Sequence, residues 1–174
     1  MKELVLINPE NASEEEVKTY RVREAARAII VDETGKIALL HVSKKNYYKL
    51  PGGGLDDKED ILTALRRECQ EEIGCDIEVV GEIGSIIEYR KFSRLKQISY
   101  CYFAKIKGEK GTPHFEKSEL EDGFKEIWLS YDEATYSLAG SKATDFEGST
   151  YIVPRDILFL QEAKKYLSEI MKAF

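Results

Sequence analysis

Glu68, Glu71 and Glu72 stand three and four residues apart at the end of a stretch with helical apolar spacing. On a helix that spacing sets them along one face. They fall in the last turn, where the macrodipole is already negative, and Glu68 and Glu72 repel as an i,i+4 pair at a cost of roughly a few tenths of a kcal/mol. A chain that needed only a stable helix would place Lys or Arg there, and a local rule broken without compensation marks a functional site. The compensating partner is a divalent cation. Magnesium and similar ions prefer carboxylate oxygens combined with waters and substrate phosphates. Bound ions neutralise phosphate charge and supply hydroxide near neutral pH for attack on phosphorus. Glu68 and Glu72 are placed to share one ion, and Glu71 can bind a second ion or order a water. A carboxylate of this set can act as general base. Arg67, beside Glu68 and four before Glu71, can hold a carboxylate by charge-assisted hydrogen bonds.

The elements around these residues must position them. Gly52, Gly53 and Gly54 offer backbone that a ligand can approach closely, and Glu59 lies between them and the helix. The spacing predicts a helix from about Asp60 to Ile73, with Leu62, Leu65, Cys69 and Ile73 as its buried stripe. Asp60 suits the N-cap and Gly74 the stop. Upstream, Ala26–Val31 and Lys36–Val42 read as a hairpin about Asp32–Gly35, followed by a polar loop from Ser43 to Tyr48. Downstream, Ile77–Tyr89 and Gln97–Lys107 read as an antiparallel pair joined near Lys91–Ser93. Then come a loop over 108–113, a strand Glu126–Leu129, a short helix from Asp132 to Leu138 and a loop over 139–150. An amphipathic helix over about 154–172 follows, with Pro154 in its first turn. A helix rich in Glu is ordinarily a solvated face, and that reading suits Glu14, Glu15 and Glu16. The glycine loop, Glu59 and Arg67 at fixed offsets argue against it for the second cluster.

At 174 residues, 43% hydrophobic and 33% charged, the chain suits one domain over 1–174, with residues of about 1–20 as an N-terminal extension. The net charge of −6 excludes a broad footprint for nucleic acid. The expected partner is a small-molecule nucleotide, met through metal ions or a local basic cluster, with no nucleic acid and no membrane. A homodimer is one option for assembly. Cys69, Cys75 and Cys101, an odd count without close pairing, indicate a reducing compartment and read as small buried hydrophobes. A catalytic thiol would need a partner, and His41 and His114 bear no recognisable relation to these cysteines. No signal peptide or transmembrane stretch is read, so a cytoplasmic location is expected.

The segment resembles the Nudix box: Gly, five residues, Glu, seven residues, Arg-Glu, an aliphatic residue, any residue, Glu-Glu, any residue, Gly and an aliphatic residue. Gly53, Glu59, Arg67, Glu68, Glu71, Glu72 and Gly74 match the fixed positions, while Cys69 and Cys75 replace the aliphatic ones. The resemblance implies an α+β fold, a Nudix-like α/β/α sandwich with a mixed β-sheet. It implies hydrolysis, dependent on Mg2+ or Mn2+, of a nucleoside diphosphate linked to another group. It makes Glu68, Glu72 and Glu71 metal ligands, with the carbonyl of Gly52 a further metal contact. Glu68 becomes the first candidate for activating water, with Arg67 orienting a box glutamate and Gly53, Glu59 and Gly74 supporting. An added acidic ligand from a loop before the last strand would be Glu119 or Glu121.

On substrate the residues say less. Against the family's patterns, the proline common in adenosine diphosphate ribose hydrolases about fifteen residues after the box is missing, with Glu88-Tyr89-Arg90-Lys91 there instead, and Tyr89 comes early for a dinucleoside polyphosphate enzyme. By elimination the first choice is a nucleoside triphosphate, oxidised or not, cleaved to monophosphate and pyrophosphate. Lys44, Lys45 and Lys49 could meet phosphates. Tyr47, Tyr48 and Phe92 could stack on a base, although packing is the simpler role for each. The alternative is a non-catalytic nucleotide-binding or regulatory Nudix module, since fold does not fix function.

Overall fold

Every residue from Ala25 to Val31 is buried, which requires a strand covered on both faces. The computed structural model, which describes residues 1–170, places this run in β2 (Arg21–Val31). Among the described residues, β2 belongs to a seven-stranded mixed sheet with β1 (Glu3–Ile7), β3 (Ile37–Val42), β4 (Tyr47–Lys49), β5 (Asp76–Arg90), β6 (Leu95–Lys107) and β7 (Phe124–Leu129). β1 runs parallel to β5, β5 antiparallel to β6, and β6 parallel to β2. β3 carries β4 and β7 as antiparallel partners. The helices are α1 (Glu14–Val17), α2 (Ile61–Ile73), α3 (Lys117–Asp122), α4 (Tyr131–Ala139) and α5 (Val153–Ile170).

Alternation along the strands builds two cores. Ile29, Val31, Leu39 and Phe103 pack on one face with Leu138 of α4 and Phe159 and Leu160 of α5. Ala28, Ile30, Leu40 and Ala104 pack on the other with Leu65, Cys69 and Ile73 of α2. The result is the helix–sheet–helix α+β arrangement that the resemblance implied. Each fully buried aliphatic side chain contributes roughly 1.5–3 kcal/mol. All three cysteines are free and buried, as small hydrophobes would be. Among the described residues no helix is long and apolar enough to cross a membrane.

Several local expectations need correction. The hairpin is barely paired: β2 and β3 meet only at Val31 and Ile37. β3 then diverges toward β7 and β4, and the segment 51–55 takes its place beside β2. That segment is held by Ala26 N–H to Gly53 O at 2.9 Å, Ala28 N–H to Pro51 O at 3.1 Å and Leu55 N–H to Glu24 O at 3.2 Å. The polar loop over 43–48 ends early, because Asn46 takes a positive φ of 58° and turns Tyr47–Lys49 back as β4. The loop expected to hold Glu119 and Glu121 is largely α3, capped reciprocally by Glu116 and Glu119. Pro154 does stand in the first turn of α5, but a π-type turn, Gly148–Ile152, runs directly into that helix, so helical backbone begins within the stretch read as a loop over 139–150. Of the helix expected over 154–172, residues 171 and 172 lie outside the described residues.

Candidate active site

α2 begins where Asp60 Oδ1 accepts the N–H groups of Leu62 and Thr63, both at 3.0 Å, and ends where Gly74 turns left-handed at φ 64°. Its buried face holds Ala64, Leu65, Cys69 and Ile73, and in the same stripe Glu68 and Glu72. Two carboxylates are thus carried into the interior by the period that buries the apolar residues. Burial pushes both carboxyls up, and for Glu68 the charge of Glu72 adds to it.

Glu72, 1% exposed, accepts Lys49 Nζ at 2.9 Å on one oxygen and the Gly52 N–H on the other. Lys49 is the last residue of β4, paired with Leu40 of β3, while Gly52, at φ 124°, lies in the segment beside β2, so the two donors arrive from either side of the bend at Pro51. Arg67 gathers the other carboxylates. Its guanidinium donates to Glu59 Oε1 at 3.1 Å and Oε2 at 3.0 Å, to Glu68 Oε1 at 2.9 Å, to Glu71 Oε2 at 3.1 Å and to Gly54 O at 3.0 Å. Its bonds hold the Glu59 carboxyl below the usual range. A planar fork serves several acceptors in a way a lysine cannot.

These groups meet at a cavity of about 210 Å³ lined by Gly52, Gly53, Gly54, Glu68, Glu71 and Glu72, with Arg23, Arg27, Lys49, Glu116 and Glu119. Arg23 and Arg27 were not singled out from the sequence. Their signal was available: two arginines four apart in an apolar strand point to one side of it. Arg27 is buried, and its Nε and Nη1 have no hydrogen-bond partner. Burial is the main force lowering its pKa to about 10, while Asp156 and Glu72 oppose the shift. A buried cation with two free donors beside acidic groups suits an anionic ligand.

Other expected residues lie elsewhere. Tyr48 stacks on His41 with ring centroids 4.5 Å apart and packs against the α5-side core. It occupies the opposite side of β4 from Lys49, as strand alternation requires. Lys45 pairs with Asp122 at 2.5 Å. Glu119 lines the cavity, whereas Glu121 is exposed and its nearest ion-pair partner is Lys117 at 3.9 Å.

The three box glutamates line this cavity without forming a ready ligand cluster. Among the described residues, no three acidic, histidine or cysteine side chains form a ready metal-holding group. Glu68 and Glu71 turn to Arg67, and Glu72 to Lys49. The donor chemistry nevertheless fits a hard divalent cation, because Glu68, Glu71 and Glu72 offer only oxygens to the cavity. The glycine wall is also shaped to them: a Cβ on Gly53 would fall 2.1 Å from Glu68 Oε1.

The NUDIX domain model matches residues 21–150. The RNA pyrophosphohydrolase of Pelagibacter ubique (strain HTCC1062) is 40% identical over 48 residues, 27% of this chain and 30% of that protein. That of Campylobacter jejuni subsp. jejuni serotype O:23/36 (strain 81-176) is 36% identical over 62 residues, 35% of this chain and 40% of that protein. The chain thus spans well under two thirds of the length of these curated relatives. A solved NUDIX hydrolase from Nitrosomonas europaea superposes with a TM-score of 0.60 at 18% identity, covering 86% of this chain and 90% of that one. The E. coli ORF135 protein does so with a TM-score of 0.58 at 20% identity, covering 85% and 92%. At such identities the superpositions speak for the fold.

Proposed function

The chain belongs to the NUDIX domain family, and from that premise we propose that it is a divalent-metal-dependent pyrophosphohydrolase. Its substrate class is a nucleoside diphosphate linked to another group. The first choice is a nucleoside triphosphate, oxidised forms included, cleaved to nucleoside monophosphate and pyrophosphate. In this reading residues 1–174 act as one unit, with 1–20 and α5 extending the matched part.

One observation carries the reading: buried Glu68 and Glu72 share a glycine-walled cavity with Arg23, Arg27 and Lys49. Carboxylates and cations lining one cavity fit a metal-bound polyphosphate better than either fits alone. Glu68, Glu71 and Glu72 would hold magnesium or manganese, whose bound form would lower the pKa of water and draw charge from the pyrophosphate. Gly52 contributes its N–H to Glu72, which supports the placing of that carboxylate. Glu68 is the first candidate to take the proton of the attacking water, and Arg67 keeps it oriented. Arg27, with Nε and Nη1 free, and Arg23 would accept the phosphate charge that builds as the bridging P–O bond breaks.

A second reading, removal of pyrophosphate from the 5′-triphosphate end of RNA, is favoured by the names of the relatives aligned at 36–40% identity. The net charge of −6 restricts such a contact to the end of the strand. One panel separates these possibilities: ordinary and oxidised nucleoside triphosphates, dinucleotides, nucleotide sugars and a 5′-triphosphorylated oligonucleotide, each with magnesium or manganese, the products identified by mass. Glu68→Gln and Glu72→Gln should lower kcat by about 10²–10⁴-fold with the fold kept. Nucleotide binding by calorimetry with no product from any substrate would leave a binding module instead. Undiminished turnover in both variants would remove the mechanism.

A further inference from the structure

Asp156 and Arg155 lie in the first turn of α5, beyond the residues 21–150 that match the family model. Both are buried, Asp156 at 0% and Arg155 at 1% exposure. Two adjacent ionised side chains inside a core are costly unless each is paired and hydrogen-bonded. Here they are. Arg155 Nε donates to Asp156 Oδ1 at 2.7 Å, and its Nη1 donates to Glu88 Oε1 at 3.4 Å. Glu88, at 0% exposure, is held in turn by Arg90. The second oxygen of Asp156 does something else: it accepts the backbone N–H of Leu50 at 2.8 Å.

That bond bears on the glycine wall. In the bent segment from Leu50 to Gly53, the carbonyls of Pro51 and Gly53 accept from Ala28 and Ala26 of β2. The N–H groups of Leu50 and Gly52 are not bonded to β2. β3 has diverged, since its pairing with β4 ends at Leu40 and Lys49, so no strand takes them. Two buried carboxylates do: Asp156 takes Leu50 N–H and Glu72 takes Gly52 N–H. Pro51 between them has no N–H to offer. The segment is therefore pinned on its open edge at two points two residues apart, one from α5 and one from α2.

We propose that Asp156, oriented by Arg155, is a positioning residue: by fixing Leu50 it sets the Gly52 N–H that orients Glu72 in the site. The inference rests on the assignment of Glu72 to that site. It predicts that α5, outside the matched region, controls the geometry of the metal-holding face without touching substrate.

The test uses Asp156→Ala, which removes the acceptor, and Asp156→Asn, which keeps one acceptor oxygen without the charge. Amide hydrogen exchange at Leu50 and Gly52, Mn2+ binding by titration, and kcat and KM on the best substrate are measured on the full chain. In Asp156→Ala, exchange at Gly52 should quicken, half-saturating Mn2+ rise and kcat fall, each by about 10-fold or more, with KM changed far less. Asp156→Asn should recover a good part of each loss. Should Asp156→Ala fail to fold, Asp156→Asn decides, with smaller changes of the same sign expected. Exchange at Gly52 and Mn2+ affinity within twofold of the parent in a folded variant would overturn the proposal. An acceleration shared equally by the amides of β6 would overturn it too, since that reports general loosening. Exchange and Mn2+ binding need no turnover, so a parent chain that hydrolyses nothing in the panel sinks the enzymatic reading separately.

Discussion

A methyl group added to Gly53 would stand 2.1 Å from Glu68 Oε1, and one added to Gly52 would stand 2.1 Å from the carbonyl oxygen of Ala26. The distances are alike and the consequences are not. The Glu68 carboxylate is the far end of a flexible side chain and can swing away, so Gly53→Ala should fold with a loss of about 1 kcal/mol or less, within the ordinary range for substitutions. Its cost falls on function, because Glu68 must leave the place where Arg67 holds it. Turnover should drop by about 10²-fold, the scale at which a small misplacement in a site is felt. Ala26 O is backbone in the middle of β2 and cannot move aside. Gly52 also stands at φ 124°, where a side chain is strained by about 1–3 kcal/mol before any clash. Gly52→Ala should therefore lower the unfolding temperature first. Thermal melts and steady-state kinetics on the two variants check this, and the expectation fails if Gly53→Ala is the less stable of the pair.

Among the elements, the turn between β2 and β3 depends on one carboxylate. Asp32 Oδ1 accepts Thr34 N–H at 2.9 Å, Thr34 Oγ1 at 2.7 Å and Lys36 N–H at 2.9 Å, and Oδ2 accepts Lys110 Nζ at 2.6 Å. Burial pushes this carboxyl up, but the bonds from Lys110, Thr34 and Lys36 outweigh it and hold the pKa down to about 2, against 3.8 in an unconstrained chain. A folded value below the unfolded one adds stability above the unfolded value, and that stability is lost as pH falls toward the folded one. Asp32→Asn should cost about 1–2 kcal/mol at neutral pH, allowing for solvent screening of Lys110. Urea unfolding at pH 7 and again near pH 2 should show the gap close between 3.8 and about 2; a gap independent of pH would refute the assignment. The turn was legible in the sequence, as was α2, because Asp60, the apolar period and Gly74 lie within a few residues of one another. What was not legible came from a distance. β2 and β3 read as a full hairpin, and only the folded chain shows segment 51–55 occupying that edge. α3 has no buried residue and hence no apolar period to read. Glu68, Glu71 and Glu72 were identified by spacing, yet their partners Lys49 and Gly52 could be joined to Glu72 only through the pairing of β4 with β3. Arg23 and Arg27 carried a local signal in their spacing along β2, whereas Asp156 depends wholly on such long-range pairing.

For the molecule as a whole, the matched core over 21–150 is bracketed by two segments that meet each other. β1 adds a parallel strand beside β5, and Leu4 and Ile7 pack against the same core as Phe159 and Leu160 of α5. Gly84 of β5 makes room for Leu4: a Cβ there would fall 2.5 Å from Leu4 Cγ. Glu10 then accepts the N–H of Lys91 at 2.9 Å and the hydroxyl of Tyr151 in the turn that leads into α5. Ala12, Val17 and Tyr20 close a small cluster with Tyr89. Removing residues 1–20 should strip this cover from one sheet edge while leaving the cavity at β2 and α2 intact. Leu4 and Ile7 are partly buried, so about half of the roughly 1.5–3 kcal/mol per fully buried side chain is at stake for each. With Val17 and Tyr20 of the smaller cluster, both buried, the loss comes to at least about 3 kcal/mol, or roughly 6 °C or more in Tm for a chain of this size. Metal-dependent turnover below the melt should stay within about threefold of the full chain, since independent sites separate in their effects. A truncated chain that melts within 2 °C of the parent, by the roughly 2–4 °C per kcal/mol scale, would show that the N-terminal segment contributes no such stability. A chain that keeps its melting point but loses turnover would tie residues 1–20 to the chemistry and not to the sheet.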